Sequence, residues 1–123
     1  MTRFASPIVS AAALAAGLVF DAPAFAQAAP DFSKVEIKTT QLAPDFWTLE
    51  GQGGTISVLA GADGILLVDS QFAPLTDKLV AAIRKVSDKP IRFLVDTHVH
   101  PDHVGGNANF AKLGATIDRK SVV

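Results

Sequence analysis

The 123-residue sequence contains no cysteine. This absence excludes disulfide bonds, anchoring through a lipid-modified cysteine, thiolate catalysis and cysteine ligands to a metal within these residues. Any metal ion must therefore be held by histidine, aspartate or glutamate. The sequence also lacks a basic excess, because its formal net charge is −1. Proteins that bind nucleic acids or anionic membranes normally carry such an excess, so we expect neither partner.

An apolar run of 13 residues, Ile8–Phe20, lies near the N-terminus. It is too short to span a bilayer but has the length of the apolar region of a secretory signal peptide. Residues 24–26, Ala-Phe-Ala, supply the small-x-small pattern that a signal peptidase recognises. We therefore predict a signal peptide over residues 1–26, a mature start at Gln27, a periplasmic or secreted location, and no stable membrane anchor after cleavage. The alternative is an uncleaved anchor or a buried alanine-rich helix, which the neighbouring prolines disfavour.

The rest of the sequence predicts a short linker, residues 27–34, followed by a mixed α/β domain, residues 35–123. Alternating apolar and polar residues over Val35–Thr39 predict a half-buried strand, and glycine-rich turns separate the strands that follow. The first half therefore has the pattern of an antiparallel meander. A helix is predicted from Pro74, because apolar residues recur there at helical spacing. The other predicted elements are strands at Phe46–Glu50, Thr55–Leu59, Ile65–Val68, Ile91–Val95 and Ala115–Ile117, and a short helix at Asn107–Leu113.

All three histidines of the sequence lie within six residues, directly after the predicted strand Ile91–Val95. They are His98, His100 and His103, and Asp102 precedes the last of them. Imidazole and carboxylate groups suit a borderline metal such as Zn²⁺. His98 and His100 can point the same way on extended backbone, whereas Asp102 and His103 come from the turn that follows. Two pairs of ligands for two neighbouring ions are the interpretation that we prefer.

The residues around the histidines support an ordered ligand loop. Pro101 biases His100 towards an extended conformation, and Gly105 and Gly106 permit tight backbone geometry before the next helix. A solvated histidine-rich loop without a metal is the alternative, and the preceding strand and the glycines make it less attractive.

The segment His98–Gly106, with the pattern H-x-H-x-D-H-x-G-G, resembles the signature of the metallo-β-lactamase superfamily. The resemblance extends from about Lys38 to Ile117 and includes the order of the strands and the glycine turns. It implies the first half of an αββα sandwich, an α+β fold with a mixed sheet and flanking helices. Because domains of that family are longer and supply further ligands, we expect residues 35–123 to be a truncated N-terminal half, inactive by itself.

The resemblance also implies roles for individual residues. His98 and His100 are expected to bind one zinc ion, and Asp102 and His103 a second one. Asp102 is also expected to be catalytic, because it would orient the nucleophile. Asp69 ends a predicted strand and matches a carboxylate that orients the ligand loop without binding the metal. The alternative for Asp69 is a turn former or helix cap.

The function that follows from the resemblance is zinc-dependent hydrolysis of a small-molecule substrate. Two Zn²⁺ ions are expected in the intact domain, where a hydroxide on the metal attacks an ester, thioester or amide bond, with β-lactams among the candidates. The competing hypothesis is a non-catalytic metal-binding protein or a nonfunctional truncated fragment.

Overall fold

The structure, a computed structural model, describes residues 30–119. These residues form a six-stranded sheet with the strand order β1-β2-β3-β4-β5-β6. The strands are β1 (Lys38–Ala43), β2 (Phe46–Glu50), β3 (Thr55–Gly61), β4 (Gly64–Val68), β5 (Ile91–Asp96) and β6 (Thr116–Arg119). The helices are α1 (Thr76–Val86), α2 (Pro101–Val104) and α3 (Asn107–Lys112), with 3₁₀ turns at Phe32–Lys34 and Ala73–Leu75. The predicted signal peptide lies outside the described residues.

The sheet is mixed, as predicted. Strands β1 to β4 pair antiparallel in chain order, which confirms the expected meander. Strands β4, β5 and β6 are parallel, so each connection between them must cross over the sheet. Helix α1 makes the first crossover, and α2 with α3 makes the second. The α+β fold class predicted from the sequence is confirmed.

The predicted position of the first strand is wrong. We expected it at Val35–Thr39, but β1 begins at Lys38 and ends at Ala43. The Nζ atom of Lys78 on α1 donates hydrogen bonds to the carbonyls of residues 32, 33 and 35, at 3.0, 2.7 and 2.6 Å. Val35 and Ile37 pack against the core from this segment. The first part of the alternating pattern therefore reflects packing beside α1, and strand pairing begins within the pattern, at Lys38.

The remaining differences concern the helices. Pro74 lies in a 3₁₀ turn, and the α-helix itself begins at Thr76. Helix α2 was not predicted, because four residues are too few to show a helical period. It begins at Pro101, a residue whose fixed φ suits the first turn of a helix. The short 3₁₀ turn Phe32–Lys34 lies within the predicted linker.

The core is a single cluster between the sheet and the helices. Leu79 and Ile83 of α1 and Phe110 of α3 are fully buried in it. The buried residues that the sheet contributes are Leu49, Ile56, Val58, Ile65, Leu67, Ile91 and Leu94. In the described residues no helix is long and apolar enough to cross a membrane. Packing of α1 and α3 onto one sheet fixes the loops that follow β4 and β5, and these loops carry the candidate site.

Candidate metal centre

Asp69 is the residue that joins the two loops of the site. It follows β4 directly, and its side chain is nearly buried, with the residue 3% exposed. Its Oδ1 accepts a hydrogen bond from the Thr97 backbone N–H at 2.8 Å, and the Thr97 hydroxyl lies 2.8 Å from Oδ2. Since Thr97 follows β5, these bonds fix the start of the histidine loop against the end of the neighbouring parallel strand.

The same carboxylate orients His103. Asp69 Oδ2 lies 2.8 Å from His103 Nδ1, so this ring nitrogen is occupied by the carboxylate. The other nitrogen, His103 Nε2, lies 3.4 Å from Asp102 Oδ2. A histidine whose second ring nitrogen is held by a carboxylate has the arrangement that orients imidazole ligands of metals. Asp69 is therefore in contact with His103, and its supporting role at a metal stays a prediction. His103 Nε2 and the Asp102 carboxylate form one candidate ligand pair.

His98 and His100 form the other pair. His100 has extended backbone, with φ −67° and ψ 145°, as the following proline predicts. The two rings lie on the same side of the loop, and His98 Nε2 is 3.2 Å from His100 Nδ1. The Thr97 hydroxyl contacts His98 Nδ1 at 2.9 Å, so one threonine touches both Asp69 and the first histidine. The His98 and His103 ring centroids are 3.9 Å apart, which brings the two pairs into one cluster.

Both pairs have a spacing that suits zinc. Two adjacent ligand atoms on a tetrahedral Zn²⁺ with bonds of about 2.0–2.1 Å stand about 3.3 Å apart. The separations here are 3.2 Å in the first pair and 3.4 Å in the second. Within residues 30–119, however, no group of three or more histidine or acidic side chains is arranged to hold one ion. Each pair thus offers two ligands, fewer than the three protein ligands usual at a catalytic zinc.

The sequence profile of the metallo-beta-lactamase superfamily matches residues 49–120. The chain belongs to this superfamily. Its structure resembles a subclass B3 metallo-beta-lactamase of Bradyrhizobium japonicum with a TM-score of 0.60 and 23% identity, over 71% of this chain and 34% of that chain. It resembles a class B3 di-zinc metallo-beta-lactamase from an Alaskan soil metagenome with a TM-score of 0.63 and 20% identity, over 74% of this chain and 35% of that chain. At these identities the likeness shows the shared fold.

A curated relative matches a shorter stretch. A linear primary-alkylsulfatase of a Pseudomonas sp. strain is 40% identical over 50 residues, which is 40% of this chain and 10% of that protein. The chain spans about a third of the length of the two solved structures named above. It therefore contains the fold and the histidine motif of the superfamily over only part of the length of its relatives.

Three polar residues beside the superfamily motif were missed by the sequence analysis. Ser70 is fully buried, donates its backbone N–H to His103 O at 2.7 Å, and contacts Asn107 Oδ1 through its hydroxyl at 2.7 Å. Asn107 Nδ2 in turn donates to Asp96 Oδ2 at 2.7 Å. Gln71 is the third, and it is also fully buried. The sequence signal that could have revealed Ser70 and Gln71 is their position, as two polar residues directly after Asp69 at the end of an apolar strand.

The glycine-rich segment 51–54, which we predicted only as a turn, forms a wall of the site. A Cβ atom on Gly53 would stand 2.7 Å from Asp102 Cβ, and one on Gly54 would stand 2.7 Å from His103 Cε1. Neither distance is compatible with a side chain at the present position of the loop. Glycine at 53 and 54 therefore allows the backbone to lie directly against the second ligand pair.

An open cleft lies beside the first ligand pair. Its volume is about 500 Å³, within the range of small-molecule sites. His98 and Val99 line one side of it, and Val99 is 84% exposed. The other lining residues are Asp96, Thr97, Val104, Asn107 and Ile117. The cluster of candidate ligands thus borders a space large enough for a small molecule.

Proposed function

We propose that this chain carries two zinc-ligand pairs of a metal-dependent hydrolase, His98 with His100 and Asp102 with His103. The observation that supports the proposal is the separation of the ligand atoms, 3.2 Å and 3.4 Å, each close to the edge of a zinc coordination tetrahedron. The remaining ligands of each ion are expected from sequence that corresponds to the rest of the longer relatives. Asp69 supports the second pair through its contact with His103 Nδ1 at 2.8 Å.

Zinc, when bound, would lower the pKa of a water molecule far below that of bulk water and so supply a nucleophile at neutral pH for hydrolysis. The residues of this chain prepare that chemistry. Because the Asp69 carboxylate contacts Nδ1 of His103, the imidazole ring presents Nε2 on the side away from Asp69. The Asp102 side chain is 30% exposed, so its carboxylate can accept a hydrogen bond from a water molecule beside the second pair and orient it. Thr97 holds the His98 ring through Nδ1 and leaves Nε2 facing His100.

The proposed substrate is a small molecule with an ester, thioester or amide bond. The named relatives are metallo-beta-lactamases and a linear primary-alkylsulfatase. The cleft of about 500 Å³ beside His98 has room for a small molecule of this kind. Chromogenic β-lactams, generic esters and linear alkyl sulfates are therefore the first substrates to test.

Zinc removal tests the proposal. In the complete domain, meaning this chain extended to the length of its relatives, chelation should abolish hydrolysis and about two equivalents of Zn²⁺ should restore it. Mg²⁺, which prefers oxygen ligands, is the control and should not restore hydrolysis. Full turnover by protein shown to be metal-free would contradict a zinc-dependent mechanism.

A non-catalytic metal-binding protein is the second candidate. It is considered because, among residues 30–119, no three of the candidate ligands are arranged to hold one ion, whereas a catalytic zinc usually has three protein ligands. The two candidates differ in one measurement, because a metal-binding protein takes up zinc without hydrolysing any substrate of the panel. Zinc uptake with measurable turnover would exclude this second candidate.

We also propose a periplasmic or secreted location, on the basis of the apolar run Ile8–Phe20 and the Ala-Phe-Ala pattern at residues 24–26. Protein recovered from the periplasm is expected to begin at Gln27, which mass spectrometry of the intact chain can determine. A mass that includes residues 1–26 on periplasmic material would count against cleavage.

A further inference from the structure

Gln71 has a backbone conformation that glutamine rarely adopts. Its φ is +53°, in the left-handed region, and the residue is fully buried. Its carbonyl accepts a hydrogen bond from the Gly106 N–H at 2.9 Å, which holds the backbone in place from the far end of the ligand segment. Such a conformation persists only where the surrounding structure holds it, and it is commonest near functional sites.

The side chain of Gln71 makes one hydrogen bond within residues 30–119, from Nε2 to the Gly54 carbonyl. Its Oε1 atom is buried and has no hydrogen-bond partner among the described residues. A buried amide that satisfies only its donor is unfavourable compared with an apolar side chain of the same size. The presence of an amide at this position is therefore better explained by its hydrogen bond to the glycine segment 51–54 than by packing in the core.

The glycine segment 51–54 lies directly against the second ligand pair, Asp102 and His103. A Cβ on Gly54 would stand 2.7 Å from His103 Cε1 and 2.9 Å from His103 Nε2, and one on Gly53 would stand 2.7 Å from Asp102 Cβ. The position of the Gly54 peptide thus limits how far the His103 ring can turn. The first pair is held by a different contact, between the Thr97 hydroxyl and His98 Nδ1 at 2.9 Å.

We propose that Gln71 is a positioning residue for the Asp102–His103 pair. By holding the Gly54 carbonyl, it keeps the glycine segment against both side chains and so keeps His103 Nε2 directed towards the second metal. The inference rests on the proposed zinc role of that pair. Substitution of Gln71 is therefore expected to weaken zinc binding at the Asp102–His103 pair and not at the His98–His100 pair.

The test uses two substitutions that remove the same hydrogen bond for different reasons. Gln71→Asn keeps the amide but is one methylene too short to reach Gly54, and asparagine tolerates a positive φ well. Gln71→Glu keeps the length but replaces the donor with an acceptor. The matched controls are Gln52→Asn and Gln52→Glu, at an exposed glutamine in the same glycine segment.

The readout is zinc titration of the full chain, followed by NMR of the imidazole C–H groups. The chain has three histidines, so the spectrum reports His98, His100 and His103 separately. In both Gln71 variants the zinc dissociation constant read from His103 should rise about 10-fold or more, and those read from His98 and His100 should stay within about twofold. The Gln52 controls should match the wild type. An equal change at all three histidines, or no change at His103, would overturn the proposal.

Two further measurements keep the test decisive. Gly54→Ala leaves the buried glutamine in place but puts a methyl group against the His103 ring, and it should reproduce the His103-selective change. A proton–proton contact between Gly54 and His103 Cε1–H needs no metal; it should be present in the wild type and lost in Gln71→Asn. The metal-free contact decides the positioning role whether or not this chain binds zinc without the remaining ligands: a Gly54–His103 contact that survives in Gln71→Asn refutes that role. The proposed function is tested separately, by zinc removal from the complete domain.

Discussion

Replacing either His98 or His100 with alanine in the complete domain is expected to remove about one equivalent of zinc and to abolish hydrolysis. The two ring nitrogens face each other at 3.2 Å, so each substitution leaves the pair with one ligand. The only other histidine of the chain, His103, is already engaged by Asp69 through Nδ1. The two variants should therefore behave alike. Metal analysis, together with turnover of an ester, a chromogenic β-lactam and a linear alkyl sulfate, measures both effects.

Val99→Ala is the matched control for zinc content. Val99 lies between the two histidines and is 84% exposed, so its truncation disturbs the same loop without removing a ligand. Zinc content in this variant should equal that of the wild type. Full zinc content with full activity in the His98→Ala protein would refute the assignment of the first pair.

Asp102→Asn is expected to abolish activity while leaving the fold almost unchanged. The substitution keeps nearly the same volume but removes the charge that, in the proposed function of the complete domain, would help to hold the second metal and to orient water. The Asp102 side chain is 30% exposed, and asparagine has nearly the same shape, so its packing beside Gly53 should be kept. We expect the melting temperature to move by less than about 4 °C, the shift that about 1 kcal/mol produces in a small domain. Thermal unfolding and turnover on the same preparation separate the two effects.

Asp69→Asn is the comparison for Asp102→Asn, because it makes the same chemical change one contact farther from the metal. Asparagine can still accept the hydrogen bond from the Thr97 N–H, but it holds His103 less well than a carboxylate does. Activity or zinc affinity should fall about 10- to 100-fold. If Asp69→Asn proves more damaging than Asp102→Asn, the two carboxylates have the opposite roles.

The sequence predicted most of the fold, because its signals are local. The meander, helix α1 and strand β5 were recognisable from apolar periodicity and glycine turns, which report the two faces of each element. One exception was the start of β1, because Val35 and Ile37 pack against the core before strand pairing begins at Lys38. Local pattern does not distinguish a segment that packs beside a helix from one that pairs in a sheet.

The candidate ligands and their grouping into two pairs are predictions from the sequence, since all of them lie within six consecutive residues, 98–103. The supporting contacts required the tertiary structure. Asp69 meets Thr97 across 28 residues, Ser70 meets His103 across 33, and Gln71 meets Gly54 across 17. All of these residues except His103, which lies in the four-residue helix α2, are in loops, where side chains follow no repeating pattern that reveals their partners. The contacts of Asp69 and Ser70 arise because β4 and β5 are parallel neighbours whose carboxyl ends open at the same edge of the sheet. The contact of Gln71 with Gly54 arises because β3 pairs antiparallel with β4 and so begins at that edge.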